Sequence, residues 1–196
     1  MAALFDETEL RALLDRGEID GATTLALETY GAELVGWLTS TLGDADAHDA
    51  FSILAEELWK SLPRFDGRCS LRTWCYMLAR AATSRVLARP ARRHEQLVSQ
   101  IPSVAHAVTR VWSTTLRVAS RERDVYARIR DELDEEDRIL LVLRVDKDLA
   151  WRDIAIVLLG AETDEDEVTR KAATLRKQFE RVKERLRELA AKHMRE

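Results

Sequence analysis

The sequence is poor in residues that interrupt helices or cross-link chains. Of its 196 residues, seven are glycine, three are proline and two are cysteine. This composition excludes collagen-like and low-complexity chains. Cys69 and Cys75 form neither a CxxC pair nor a disulfide framework, which favours reduced thiols in a cytoplasmic protein. No run of 18 apolar residues occurs, and the acidic N-terminus lacks a signal-peptide pattern, so we expect neither a membrane span nor export.

Signals for catalysis and for metal binding are also missing. The four histidines are isolated, and no cysteine lies at zinc-ligand spacing from any of them. The sequence has no glycine-rich phosphate loop and no GxSxG motif. The acidic runs DELDEED and ETDEDE are typical of solvated faces or helix N-termini. We therefore expect a protein that is not an enzyme, with no catalytic residue, no metal and no cofactor.

Positive charge is concentrated in two segments, although the formal net charge is -4. Six arginines and no acid lie between Arg72 and Arg93, and from Arg170 onward Lys and Arg outnumber Glu by ten to four. Helical periodicity dominates and no alternating strand pattern appears, so the sequence predicts an all-α fold. The patterns divide into a helical domain over 1–95, a linker over 96–130 and a second helical domain over 131–196. The weak signal in 96–130 is consistent with a tether, a loosely amphipathic helix or both.

The first basic segment, 63–93, reads PRFDGRCSLRTWCYMLARAATSRVLARPARR. Ser70 is a plausible N-cap for its helix. Helical steps place Arg72, Arg80 and Arg85 off the apolar stripe, which predicts a basic face that neutralises phosphates. Phe65 in the preceding loop suits stacking on single-stranded bases. The alternative is that the aromatic residues are core and the arginines only solubilise the helix.

The second basic segment has the order of a helix-turn-helix: a helix, the short helix WRDIAIVLLG, a turn and a long basic helix. Its apolar residues step by four and three along the stripe Val168, Ala172, Leu175, Phe179, Val182, Leu186 and Leu189. Such a stripe fits either a long helix packed on its neighbours or a coiled-coil seam. A helical hairpin without DNA-binding function has the same pattern.

Together and in this order, the two segments resemble a bacterial sigma factor of the sigma-70 family, extracytoplasmic-function (ECF) type. The resemblance to region two runs over DADAHDAFSILAEELWKSLPRFDGRCSLRTWCYMLARAATSRVLARPARR. The resemblance to region four begins at LDEEDRILLVLRVDKDLAWRDIAIVLLG and resumes at TLRKQFERVKERLREL. It implies a sigma factor that binds core RNA polymerase and directs promoter recognition, DNA melting and transcription initiation.

The resemblance also implies site residues. Polymerase binding falls on Asp46, Asp49, Phe51, Ser52 and Glu56. Minus-10 DNA binding, with a loop pocket for an extruded base, falls on Arg64, Phe65, Asp66, Gly67, Arg68, Arg72, Arg80, Arg85 and Arg89. Minus-35 DNA binding falls on Arg170, Lys171, Thr174, Arg176, Lys177, Gln178, Arg181 and Lys183.

The sequence departs from the family pattern at three places. Ser52 and Ile53 stand where the family has Gln-Glu, and Arg85 replaces an acid. The segment 161–173 is longer than its family counterpart, and its 165–173 part has a helical pattern. Either the recognition helix gains two turns at its N-terminal end, or the added stretch packs elsewhere.

Two other functions fit the same pattern. A stand-alone helix-turn-helix transcriptional regulator would bind DNA without polymerase and use the first domain to dimerise. A helical adaptor or anti-sigma-like protein would dock its long helix in a groove and bind no DNA. For a sigma factor, the partners are core RNA polymerase and promoter DNA; whether an anti-sigma factor also binds is left open by the sequence.

Overall fold

The computed structural model describes residues 7–88, 101–118, 132–160 and 162–193. Within these residues the chain is helical and has no strand, which confirms the all-α prediction. The chain divides into two compact units, Met1–Ala119 and Ser120–Glu196. Among the described helices, none is long and apolar enough to cross a membrane.

The described part of unit 1 contains five α-helices. They are α1 (Glu7–Asp15), α2 (Ile19–Leu42), α3 (Asp44–Ser61), α4 (Leu71–Leu87) and α5 (Pro102–Val118). A single 3-10 turn, Leu62–Arg64, continues α3 into the loop before α4. Ser70 caps α4, since its Oγ accepts a hydrogen bond from the Thr73 backbone N–H at 3.1 Å, which confirms the predicted cap.

The core of unit 1 forms around α2, which packs against the other four helices. Apolar residues at three- and four-residue steps in α3 predict a buried stripe. The structure confirms it, because these side chains have no exposed surface: Ala47, Ala50, Phe51, Leu54 and Leu58. Each fully buried leucine or phenylalanine contributes roughly 1.5–3 kcal/mol to folding. Burial of this stripe fixes the orientation of α3 and of the loop that follows it.

Helix α5 lies within the segment predicted to be a linker, yet it belongs to unit 1. Its residues Val104, Ala107, Val108 and Val111 are buried, and the helix packs chiefly on α2. Seven of its seventeen residues are Val or Thr, which have a low intrinsic propensity for the α-helix. Only tertiary packing makes this part of the predicted linker an ordered helix.

Unit 2 contains three described α-helices. They are α6 (Glu135–Leu141), α7 (Trp151–Leu159) and α8 (Glu165–His193), and a π-helical turn, Val142–Asp146, follows α6. The buried side chains of Leu133, Leu141, Val182 and Leu189 form an apolar cluster between the start of the unit and α8. The stripe of α8 is therefore packed on its neighbours within the chain, the first of the two predicted possibilities.

The added segment forms the first turns of α8. The helix begins at Glu165, whose two carboxylate oxygens each lie 2.9 Å from a guanidinium nitrogen of Arg152 in α7. Val168 and Ala172 on the inner side of these turns are buried. The added segment thus lengthens α8 at its N-terminal end, and the apolar residues of these turns pack inside unit 2.

Candidate nucleic-acid interface

The loop between α3 and α4 is held by a hydrogen-bonded turn. The Asp66 carboxylate accepts hydrogen bonds from the backbone N–H of Arg68 at 3.1 Å and from its Nε at 2.6 Å. Gly67 between them has φ of +76°, a conformation that glycine adopts without strain. The backbone N–H of Arg68 and, to a smaller extent, its side chain lower the pKa of Asp66 by hydrogen bonding. This carboxylate therefore remains a charged acceptor.

This loop forms one wall of a groove, and α1 forms the opposite wall. The groove has a volume of about 540 Å³, and its lining includes Arg11 and Leu14 from α1 and Phe65, Asp66 and Gly67 from the loop. The half-buried ring of Phe65 packs edge-on against Trp74, with the ring centroids 5.5 Å apart. A groove of this size, with an aromatic ring and charged groups of both signs, can accept a single nucleobase.

Arg72 was expected to contact DNA, but it ties α4 to α2 instead. Its Nε donates to the Glu33 carboxylate at 3.2 Å, and its Nη2 pairs with the other carboxylate oxygen. The Tyr76 hydroxyl donates to the same carboxylate at 2.7 Å. Burial, together with the Glu33 carboxylate, raises the pKa of Tyr76, so its hydroxyl stays a donor. In this structure Arg72 is not presented to DNA.

The predicted single basic face of α4 does not form, and that prediction was wrong. At 3.6 residues per turn, Arg80 lies about 80° around the helix from Arg72, and Arg85 lies on the opposite side from the buried stripe. Arg80 is half-buried, whereas the Arg85 side chain is 54% exposed and its Nη1 lies 2.9 Å from Glu57 Oε1. Arg89 lies outside the described residues. Among the described residues predicted to bind minus-10 DNA, the exposed cations are Arg64, Arg68 and Arg85.

The five α3 residues predicted to bind polymerase do not share one face. Asp49, Ser52 and Glu56 lie on one side of the helix, and Asp46 is half-buried near its start. Asp49 is 8% exposed and Ser52 is 4% exposed. Phe51 has no exposed surface, and its ring lies 6.4 Å from the ring of Trp112 in α5. Its burial agrees with its place in the apolar stripe of α3, and its assignment to polymerase binding stays a prediction.

In unit 2, four predicted minus-35 residues form one exposed stripe along α8. Arg170, Thr174, Lys177 and Arg181 recur at steps of four, three and four residues, opposite the buried stripe. The acidic first turn, which contains Glu167, precedes this stripe. This stripe is the largest set of predicted contact residues that helical spacing aligns on α8, since Arg176 with Lys183 and Lys171 with Gln178 align only as pairs.

The remaining predicted minus-35 residues point elsewhere or have protein partners. Gln178 donates to Asp137 of α6 at 2.7 Å, and the Nζ of Lys183 lies 2.7 Å from Glu180. Arg176 is exposed but lies about a third of a turn away from the stripe, and Lys171 is half-buried. The partner of Gln178 lies on another helix and that of Lys183 on the adjacent turn, so the sequence did not reveal that these two side chains are paired.

Two functional contributions were missed by sequence reasoning. Glu33 organises the start of α4 from a position 39 residues upstream, and α1 provides a wall of the loop groove. No local sequence pattern links these positions to the loop, so only the fold reveals them. Among the described residues, no group of three or more His, Cys, Asp or Glu side chains could hold a metal ion.

Comparison with known families adds one finding. Residues 26–93 match the family model described as sigma-70 region 2, which spans most of α2, all of α3 and α4 and the loop between them. No curated protein and no solved structure matches the chain. The matched family consists of transcription initiation factors that bind RNA polymerase and recognise promoters. The first unit of the chain therefore contains a domain similar to sigma-70 region 2.

Proposed function

We propose that this protein is an ECF-type sigma factor that melts promoter DNA with unit 1 and contacts the minus-35 element with unit 2. The observation that carries the proposal is the region 2 match over residues 26–93, with an ordered loop and groove at the end of α3. Unit 2 supports it through its three helices and the cationic stripe of α8. The ECF type fits a chain of 196 residues with two compact units.

Core polymerase binds the side of α3 that carries Asp49, Ser52 and Glu56. On this side Glu56 is partly exposed, whereas Asp49 and Ser52 are almost fully buried, so Glu56 offers the accessible carboxylate to a partner with basic residues. Ser52 differs from the family glutamine, so the contact depends more on the flanking carboxylates.

The groove between α1 and the loop captures a base extruded from the minus-10 element. Extrusion costs a few kcal/mol. Stacking on an aromatic ring contributes about 1–3 kcal/mol per base, so Phe65 alone offsets a large part of that cost. The exposed Arg64, Arg68 and Arg85 neutralise the phosphates of the opened strand.

The stripe Arg170, Thr174, Lys177 and Arg181 lies against the minus-35 element. Its three cations span about eleven residues, or roughly 16 Å of helix, which is somewhat more than the width of a major groove, about 12 Å. The acidic first turn of α8 repels phosphates and so confines the DNA to the part of the helix that follows it.

Binding to core polymerase tests this proposal. The full chain, labelled with a fluorophore, is titrated with bacterial core RNA polymerase. We expect Glu56→Lys to weaken binding, whereas Glu9→Lys, the same charge change at an exposed position of α1, leaves it unchanged. No binding of the unaltered chain rejects a sigma factor. Footprints on DNA without polymerase would instead support the stand-alone regulator.

A further inference from the structure

Helix α5 covers a face formed by α2 and α3. Polar contacts fix its first part to α2: Ser103 Oγ donates to Asp20 Oδ2 at 3.4 Å, and the Arg110 guanidinium pairs with Glu28. Between these contacts, the buried Val104 and the following apolar residues of α5 face the core. The face beneath α5 therefore has an occupant from the same chain.

Helix α5 approaches α2 tightly at Gly31. A Cβ atom built on Gly31 would lie 2.7 Å from Val111 Cγ1, so only glycine allows the two helices to come this close. The next residue, Trp112, packs its ring edge-on against His48 with the centroids 4.9 Å apart, and it covers Phe51. Val111 thus packs on the α2 side of the contact and Trp112 on the α3 side.

The helical state of α5 depends on this docking. Seven of its seventeen residues are Val or Thr, which lose side-chain freedom in a helix. The hydroxyls of Thr109, Thr114 and Thr115 bond backbone carbonyls four residues earlier, at 3.0, 2.8 and 2.8 Å. Such bonds slightly destabilise a helix. A segment of this kind, once it leaves the face formed by α2 and α3, loses its helical structure and does not redock as a rigid unit.

The position of α5 conflicts with the role of α3. Phe51 has no exposed surface and lies under Trp112. Ser52 lies about 100° further around α3, at the border of the face that α5 covers. A polymerase contact that includes Phe51 is possible only when α5 has moved. A partner that replaces α5 would meet an apolar strip of Gly31, His48 and Phe51 beside the acidic side of α3.

We propose that the α2–α3 face beneath α5 is part of the surface for core RNA polymerase, and that α5 must leave it before polymerase binds fully. The inference rests on the proposed sigma-factor function. Docked α5 lowers the apparent affinity of the chain for polymerase, because only the fraction of molecules with an uncovered face can bind. The face and its helical cover form a two-state element within unit 1.

Two matched pairs of variants of the full chain test the proposal. Gly31→Ala adds a methyl group that collides with Val111, whereas Gly36→Ala makes the same change in α2 with no atom within 4 Å. Val111→Asp places a carboxylate in the buried contact, whereas Ser113→Asp places it on the exposed side of α5. Hydrogen–deuterium exchange of amides 104–115 reports docking, and titration with bacterial core polymerase reports affinity.

We expect Gly31→Ala and Val111→Asp to speed exchange in α5 and to tighten polymerase binding by roughly five-fold or more, while the two controls change neither. Faster exchange with unchanged or weaker binding would overturn the inference. Persistent protection of α5 in both variants, or cooperative unfolding of unit 1 with α5, would overturn it too, because α5 would then be a fixed part of the domain. If no chain binds polymerase, including the unaltered one, the sigma-factor proposal itself fails.

Discussion

Replacement of Arg72 by methionine separates a structural role of this arginine from a role in DNA binding. Methionine keeps the apolar stem of the side chain and removes the guanidinium, which pairs with Glu33 through two nitrogens. Glu33 then keeps the Tyr76 hydroxyl as a partner but loses the Arg72 guanidinium. The half-buried carboxylate thereby loses two charged hydrogen bonds.

The expected loss follows from the exposure of the pair. The side chains of Arg72 and Glu33 are 28% and 25% exposed, so solvent screens their interaction only in part. Hydrogen bonds to charged groups contribute about 1.5–3 kcal/mol net, and partial exposure favours the lower half of that range. We expect Arg72→Met to lower the free energy of unfolding of unit 1 by about 2 kcal/mol.

Urea denaturation followed by tryptophan fluorescence measures this loss, since four of the five tryptophans lie in unit 1. Arg85→Met is the matched control, because Arg85 is 54% exposed and its pair with Glu57 contributes about 0–1 kcal/mol. Equal unfolding midpoints for the two variants would refute the structural role of Arg72. A loss of promoter opening by Arg72→Met at unchanged stability would return Arg72 to the DNA interface.

Three further predictions follow from local contacts. Ser70→Ala removes the cap of α4 and should cost about 1 kcal/mol of unfolding free energy, as measured by urea denaturation, with a cost near zero contradicting the cap. Burial raises the pKa of Cys75 to about 12, so roughly one thiol in ten thousand is ionised at pH 8. We expect an aromatic disulfide reagent to label Cys75 only after unfolding, as measured by mass spectrometry. Labelling of the native protein at the rate of a free thiol would contradict this burial. Lys177→Glu on the α8 stripe should weaken minus-35 binding by holoenzyme and lower the salt dependence of that binding. Arg176→Glu, about a third of a turn away, should weaken it less. Equal losses for the two variants in a filter-binding assay would show that the stripe is not the contact.

The sequence predicted those features that local periodicity controls. The apolar spacing of α3 was enough to identify its buried stripe, and Ser70 was recognisable as a cap from its position before an apolar run. The stripe of α8 was predicted with both of its possible uses, and the fold selected packing within the chain. Each of these features depends on residues within a few turns of one another.

Features that depend on distant partners were not predictable in this way. Arg72 has the same local pattern whether it contacts DNA or a carboxylate, and only the approach of Glu33 decides between them. Helix α5 has the spacing of an amphipathic helix but many residues of low helix propensity, and its docking at Gly31 of α2 was not visible in the sequence. The contact between Trp112 of α5 and Phe51 of α3 joins residues 61 positions apart, so it too was hidden from the sequence.

Run-off transcription with reconstituted components tests the central claim most directly. Promoter fragments are selected from a random pool with core polymerase and this protein, and are then transcribed with and without it. We predict discrete transcripts only when the protein is present, and loss of those transcripts when the minus-10 element of a selected promoter is scrambled. Transcription that does not depend on the protein, or selection of the same fragments without polymerase, would contradict its action as a sigma factor.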